Sequence, residues 1–97
     1  MTLATLTCND FAAHLGGVFR IEGDDQTFLP VTLVEASPLK YPGEQREPFT
    51  LVFRSASEQV LPQHLYAIDH DVIGRLEIFL VPLRRVEAGV EYAATFN

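Results

Sequence analysis

Asp69, His70 and Asp71 stand side by side in the stretch LYAIDHDVIGRLEIFLVPL, which runs from Leu65 to Leu83. Histidine and aspartate are residue types that bind metal ions and transfer protons. Successive side chains of a strand point to opposite faces, so a regular strand sends His70 to one face and both aspartates to the other. The spacing therefore argues against a reaction centre and predicts one inward histidine with two outward carboxylates.

A second candidate is the pair Cys8 and His14, a thiol and a base in one predicted helix. Six residues leave the two side chains about 120° apart around the helix axis and about 9 Å apart along it, so they cannot share a proton. The patterns GxSxG, GxxxxGK[ST] and GxGxxG are absent, and one Cys with three His is too few for a typical zinc site. We predict no catalytic residue, no metal and no cofactor. A hydrolase-like enzyme that uses His70 is the weakest alternative.

Composition limits the class of protein. The length suits one domain, which we assign to residues 1–97. The net charge of −6 argues against binding to nucleic acid or to an anionic membrane surface. The single cysteine excludes an internal disulfide, and the start of the sequence lacks the basic and apolar segments of a signal peptide. No stretch reaches the roughly 18 apolar residues of a membrane helix. We expect a soluble, cytoplasmic protein.

One short helix is predicted near the N-terminus, from Cys8 to Leu15 in LTCNDFAAHLGG. Thr7 suits the N-cap, and Asp10 three residues later completes an acidic capping box. Gly16 can end the helix in the left-handed conformation. So short a helix is not stable alone in water, and its apolar face must dock on a larger element.

Six further segments alternate apolar and polar residues, as strands do: VFRIE, FLPVTLVEA, PFTLVFRS, LYAID, RLEIFLVPL and VEYAATFN. We predict a mainly β fold, an antiparallel sandwich or partly open barrel of about six strands with one short N-terminal α-helix. The connection at residues 37–48, which contains Tyr41, is long for a small domain and is either a binding loop or a solvated hairpin tip.

The apolar face of RLEIFLVPL must lie beside Tyr66 and Ile68 of the preceding strand. A three-residue loop achieves this if Gly74 supplies its left-handed position. The predicted loop residues are Val72, Ile73 and Gly74, and the predicted pairs are Asp71 with Arg75, His70 with Leu76, Ile68 with Ile78 and Tyr66 with Leu80.

In this register Asp69 lies opposite Glu77, and together with Asp71 they would form a small acidic patch. A calcium ion could relieve the repulsion, but it requires six to eight oxygen ligands. The neighbouring Arg75 offers a simpler relief, so we favour a solvated charged face.

The segment IFLVPL is apolar on both faces, because Phe79, Val81 and Leu83 lie between the inward residues. A strand of this kind must be covered on its outer side. Either the N-terminal helix covers it through Phe11 and Leu15, or another subunit or partner protein does.

A partner surface would include Phe79, Val81, Leu83 and, from the long connection, Tyr41. Pro82 lacks a backbone donor, which predicts an edge or a bulge at this point.

The stretches DFAAHLGGVFRIEG, EPFTLVFR, LPQHLYAIDHDVIGRLEIFLVPL and EYAATFN resemble a bacterial domain-of-unknown-function family, number 6916. Its pattern is close to D-F-x-x-H-x-G-x-x-F, P-F-x-L-x-F-R, L-P-Q-x-x-Y, H-x-x-x-G-x-x-x-x-F-L-V-P and a closing F-N. The matching positions are Phe11, His14, Gly16, Phe19, Pro48, Phe49, Phe53, Arg54, Pro62, Tyr66, His70, Gly74, Phe79, Pro82 and Phe96.

The resemblance implies a compact, β-rich domain with no established activity. It also implies an association with genes for phage tail-collar-like proteins, and so a structural or assembly role. Among the matching positions, His14, Arg54 and His70 have no obvious packing or turn role. We expect satisfied structural histidines, with His14 at the C-terminal end of the helix, and a carboxylate partner for Arg54.

Two functional hypotheses follow from different classes. The first is a non-enzymatic structural or protein-interaction module of a phage-tail-like particle, whose partner is a second copy or a tail-collar-like protein. The alternative is a small-ligand-binding barrel with Tyr66, His70 and Phe79 at its mouth. That alternative requires a concave pocket of at least about 300 Å³ with convergent polar groups.

Overall fold

The computed structural model describes residues 6–23, 27–39 and 48–96. The predictions for Tyr41 and for most of the 37–48 connection lie outside these ranges. The elements are α1 (Cys8–Ala12), β1 (Val18–Glu22), β2 (Phe28–Pro38), β3 (Phe49–Ser55), β4 (His64–His70), β5 (Gly74–Val86) and β6 (Gly89–Phe96).

The six strands form a closed antiparallel barrel in the order β1-β2-β3-β6-β5-β4. This confirms the mainly β, six-stranded, antiparallel prediction with one short helix, and it decides for a barrel over a sandwich. The barrel closes where β1 meets β4, and we call this junction the seam. The seam is short: Arg20 pairs with Asp69, and Ile21 pairs with Ile68.

The core fills the barrel because each strand sends alternate apolar side chains inward. On β3, for example, Phe49, Leu51 and Phe53 are fully buried. The other strands contribute in the same way, with the largest fully buried side chains at Phe19, Ile21, Leu33, Ile68, Ile78, Leu80 and Tyr92.

The helix closes one end of the barrel. Thr7 and Asp10 form the predicted capping box, with the backbone N–H of Thr7 donating to Asp10 at 2.8 Å. The buried ring of Phe11 lies 5.9 Å from that of Phe49 and 5.8 Å from that of Phe96, centroid to centroid. These contacts place α1 over the strand ends where β3 starts and β6 finishes.

The helix is shorter than predicted, since it ends at Ala12 and not at Leu15. The chain turns through residues 13–16 and reaches Gly16, whose φ of 83° confirms the predicted left-handed position. The backbone N–H of Gly16 donates to the carbonyl of Leu33 on β2 at 2.8 Å. This N–H group is therefore not available for a further hydrogen bond within the helix.

The β4–β5 register differs from the prediction by two residues. His70 pairs with Gly74, and Asp69 pairs with Arg75. The loop is three residues long, as expected, but it starts one residue earlier, at Asp71. Gly74 keeps its predicted positive φ, at 92°. A shift of two keeps every side chain on its face, so the predicted inward and outward residues are unaffected.

The new register also removes the predicted like-charge opposition, because Glu77 now lies opposite Ala67 rather than Asp69. Farther along β5, its register with β6 shifts between Pro82 and Arg84. This confirms the irregularity predicted at Pro82.

Candidate functional site

His70 ends β4 on the inner side of the barrel, at the end that carries α1. Its Nδ1 accepts hydrogen bonds from the backbone N–H groups of Val72 and Ile73, both at 3.1 Å. Its ring lies 4.5 Å from the ring of His14 and 4.4 Å from the ring of Phe19. The imidazole therefore holds the three-residue loop.

The surroundings of His70 favour its neutral form. Burial lowers the pKa of His70, the charge of His14 and that of Arg20 lower it further, and Asp71 opposes the shift. Because Nδ1 accepts two N–H groups, the proton of the neutral ring is assigned to Nε2. The ring is thus committed to the loop through the nitrogen that a general base would need.

The two aspartates beside His70 bind arginines. Asp71 lies 3.0 Å from Arg20 on β1, and Asp69 lies 3.9 Å from Arg75 on β5. Arg75 also donates to Glu22 of β1, across β4. Over the described ranges, no group of three or more His, Cys, Asp or Glu side chains is placed to hold a metal ion.

Arg54 has the carboxylate partner that the sequence predicted. Its Nη2 lies 2.7 Å from an oxygen of Glu91, and Arg84 donates to the other oxygen at 2.5 Å. The side chain of Glu91 is only 6% exposed. Hydrogen bonds from Arg54 lower the pKa of Glu91, burial opposes the shift, and the bond from Arg84 reinforces it. Sequence reasoning missed Glu91, whose only signal was a single carboxylate in an otherwise apolar strand.

An apolar strip lies on the outer face of β4 and β5. Leu65 pairs with Phe79, and Val81 and Leu83 follow along β5. The four residues are 36–52% exposed, and we call them the interaction patch. The expectation that the helix covers this strip is wrong, because α1 closes the barrel end and Leu15 is itself 49% exposed. In the described part of the chain nothing replaces that cover.

A cleft of about 610 Å³ lies at the opposite end of the barrel, and we call it the barrel-end cleft. Ile21, Leu29, Leu61 and Tyr66 give it an apolar base, while Glu22 and Phe28 stand at its side. Of the residues predicted to form one pocket, Tyr66 lines this cleft. His70 lies at the helix end, and Phe79 lies on the outer face. The segment around Leu61 was missed, since its sequence SASEQ reads as an ordinary connection.

Comparison with known families identifies the chain. Residues 6–96 match the family model described as a domain of unknown function, DUF6916. The chain belongs to this family. A search of curated proteins and a search of solved structures each gave no match.

For this DUF6916 domain the family description supplies no activity, so the roles of its residues rest on geometry. Three features of the domain stand out: the loop-holding His70, the interaction patch and the barrel-end cleft. No helix within the described residues is both long and apolar enough to cross a membrane.

Proposed function

We propose that this DUF6916 domain is a non-enzymatic protein-interaction module that binds a protein partner through the interaction patch. The observation that carries the proposal is the cluster of Leu65, Phe79 and Val81 on one outer face, followed by Leu83 at the β5 bulge, each at least about one-third exposed. Clustered apolar side chains on a protein surface are typical of binding sites, whereas single ones are not.

The surroundings of the patch support this assignment. Glu77 and Arg75 precede it on β5, and the Arg84–Glu91 pair follows it. An apolar centre with a charged rim is the usual composition of a protein interface. A stable interface buries about 800 Å² on each partner, so the patch would form the centre of a larger contact.

We place the module in a phage-tail-like assembly, with a second copy or a tail-collar-like protein as its partner. The resemblance of the sequence supports this setting, and the acidic composition and single cysteine support a cytoplasmic site of action. His70 gives no support to a hydrolase-like enzyme, because its Nδ1 is occupied by the β4–β5 loop.

The test is a substitution at the centre of the patch. We expect Phe79→Ser to weaken binding to a tail-collar-like protein, or self-association, by at least about tenfold, because a partly exposed aromatic ring at an interface centre often dominates affinity. Calorimetry measures the first quantity and analytical ultracentrifugation the second.

Phe28→Ser is the matched control, since Phe28 is 49% exposed against 52% for Phe79 and lies outside the patch. It should bind as the unmodified chain does. A strictly monomeric protein that binds no tail-collar-like protein would contradict the proposal, and so would an equal loss in both variants.

A further inference from the structure

The outward side chains of β5 follow an order of charge. Burial alternates residue by residue through this part of the strand, so Glu77, Phe79 and Val81 face outward in turn. A bulge then shifts the register with β6, and Leu83 and Arg84, both exposed, end the row. The row therefore runs from a negative charge through apolar side chains to a positive charge.

Glu77 supplies the negative charge at one end of the row. Among the residues that the structure describes, Glu77 forms no ion pair. The arginine two residues before it, Arg75, is bound to Glu22 and lies 3.9 Å from Asp69. These four side chains carry three negative charges and one positive charge. This end of the row therefore attracts a cation.

Arg84 supplies the positive charge at the other end. Its backbone pairs with Glu91, and its side chain shares the Glu91 carboxylate with Arg54. Two positive charges therefore meet one negative charge. The side chain of Arg84 is 58% exposed, so a guanidinium with N–H donors beyond the one that contacts Glu91 faces solvent beside Leu83.

The row is complementary to itself when a second copy lies against it with β5 antiparallel. A twofold axis that crosses β5 between Phe79 and Val81 sets Phe79 of one copy against Val81 of the other. The same operation sets Glu77 of each copy against Leu83 and Arg84 of the other. An apolar centre and two ion pairs form together, because a twofold contact repeats every interaction. Sheets that pack face to face keep their strands nearly aligned, as this arrangement requires.

Charge favours this arrangement over the other symmetric one. With the two β5 strands parallel, each residue would face its own counterpart, which puts Glu77 against Glu77 and Arg84 against Arg84. Like charges face to face cost free energy, and each chain already carries a net charge of −6. The antiparallel pairing offsets part of that general repulsion with two local attractions.

We propose that the partner of the interaction patch is a second copy of this chain, packed face to face with β5 antiparallel. The inference rests on the proposed function, which assigns protein binding to this patch, and adds the identity and the orientation of the partner. Across the strands the contact extends from Leu65 on β4 to Ala93 on β6, which pair with Phe79 and Val81 respectively.

The size of the patch with its charged ends sets the expected strength. With strands about 4.8 Å apart and a rise of about 3.4 Å per residue, the outer faces of β4, β5 and β6 beside residues 77–84 span about 400 Å². That is about half of what each partner contributes to a standard interface. We therefore expect a reversible dimer with a dissociation constant of about 10–100 µM.

The test reverses the charges at the two ends. Glu77→Lys makes both ion pairs repulsive, and so does Arg84→Glu, so each variant alone should dimerise at least about tenfold more weakly than the unmodified chain. In a mixture, every charge of one variant faces the opposite charge of the other. The mixed dimer should therefore form about as well as the unmodified dimer. Sedimentation velocity with one variant fluorescently labelled measures the mixed species.

Glu87→Lys is the matched control, because it makes the same charge change at an exposed site in the β5–β6 turn. It should dimerise as the unmodified chain does. Thermal unfolding checks the fold of each variant, since Arg84→Glu also removes a partner of Glu91. The comparison of Glu77→Lys with Glu87→Lys is independent of that change.

Three results would overturn the inference: an unmodified chain that stays monomeric at about 0.5 mM, equal weakening by Glu77→Lys and Glu87→Lys, and folded charge variants that do not associate when mixed. A monomeric chain that still binds a tail-collar-like protein through Phe79 overturns this inference and leaves the proposed function in place. A chain that binds neither partner contradicts both.

Discussion

The imidazole of His70 accepts two backbone N–H groups through Nδ1, and this contact exists only while that nitrogen is unprotonated. The groups facing the ring are His14 from the turn after α1, Arg20 from β1 and Asp71 from the loop. Ile73, whose N–H the ring accepts, is itself buried against the core. Protonation of His70 therefore opposes the packing of the loop that ends the hairpin.

This arrangement predicts a pH dependence of stability. The pKa of His70 is lowered in the folded chain, so between that value and the unfolded value of about 6.5 the unfolded chain binds more protons. The free energy of unfolding should therefore be highest above about pH 6.5 and fall as the pH drops below it. Urea unfolding at pH about 7.5 and about 5.5 measures the difference.

His70→Asn is the informative variant, because its side-chain oxygen can still accept the loop N–H groups but does not titrate. In the His70→Asn variant, the free energy of unfolding should change less between pH about 7.5 and about 5.5 than in the unmodified chain. An unchanged pH profile in His70→Asn would assign the dependence to other groups and contradict the role given to His70.

Glu91 predicts a second pH effect, at lower pH. Its pKa is lowered chiefly by the hydrogen bonds from Arg54, so its contribution to stability is complete above the unfolded value of about 4.3 and is lost as the pH falls through the folded value. At neutral pH, Glu91→Gln should reduce the free energy of unfolding by about 1.5–3 kcal/mol, the usual value for hydrogen bonds to a charged group.

Glu87→Gln is the matched control for this change. Glu87 lies exposed in the turn between β5 and β6, so the substitution removes the same charge without breaking a buried pair. Chemical denaturation compares the two variants. Equal losses would mean that net charge, and not the pairing with Arg54 and Arg84, determines the effect.

At the scale of elements, the seam is where the barrel is held by the fewest backbone pairs. Among the residues that the structure describes, the pairs in register there are Arg20 with Asp69 and Ile21 with Ile68. Side chains supplement them, because Arg20 binds Asp71 and Arg75 reaches Glu22 across β4. At least one partner of each ion pair is exposed to solvent, so added salt weakens the attraction between the charges.

We therefore expect the seam to open before the rest of the barrel as the salt concentration rises. At about 1 M NaCl, where screening acts over about 3 Å, hydrogen exchange in peptides covering β1 and β4 should accelerate more than in peptides covering β3 and β6. The double variant Arg20→Gln/Arg75→Gln should show the faster exchange at low salt and lose most of the salt dependence.

Arg85→Gln serves as the control, because Arg85 binds the carbonyl of Glu58, away from the seam. It should keep the salt dependence of the unmodified chain. Uniform acceleration over all six strands would show that the seam is no weaker than the other junctions.

The β4–β5 hairpin shows which part of an element the sequence can specify. Alternation assigned the side chains of β5 to the correct faces up to the bulge, since burial alternates residue by residue from Leu76 to Val81. It could not separate two registers that differ by two residues, because both satisfy the alternation. In the observed register His70 binds the N–H groups of the loop, and no local sequence pattern specifies that contact.

The helix shows the same limit. The capping box fixed its start at Thr7, because that signal is local and chemical. Its end depends on Gly16 donating to Leu33 of β2, a contact between distant parts of the sequence. The docking site of Phe11 likewise depends on Phe49 and Phe96. The sequence therefore predicted that the helix must dock on another element but not which one.

At the scale of the whole molecule, the sequence predicted six antiparallel strands but not how the sheet closes. Closure joins β1 to β4 and β3 to β6, which are separated by long stretches of chain. The candidate sites divide in the same way. The alternating sequence pattern predicted that Phe79 and Val81 point outward. The barrel-end cleft could not be predicted in this way, because it depends on Tyr92 anchoring the Ser57–Leu61 segment, which lies about thirty residues earlier in the sequence.

The position of β6 between β3 and β5 has a consequence for the chain while it is being made. β6 is the last of the six strands to leave the ribosome, yet it fills the gap between two strands that are already synthesised. Until it arrives, β3 and β5 each present an unpaired edge rich in β-branched and aromatic residues, the kind of surface through which nascent chains aggregate. The chain is therefore most exposed to aggregation before residues 89–96 take their place between β3 and β5.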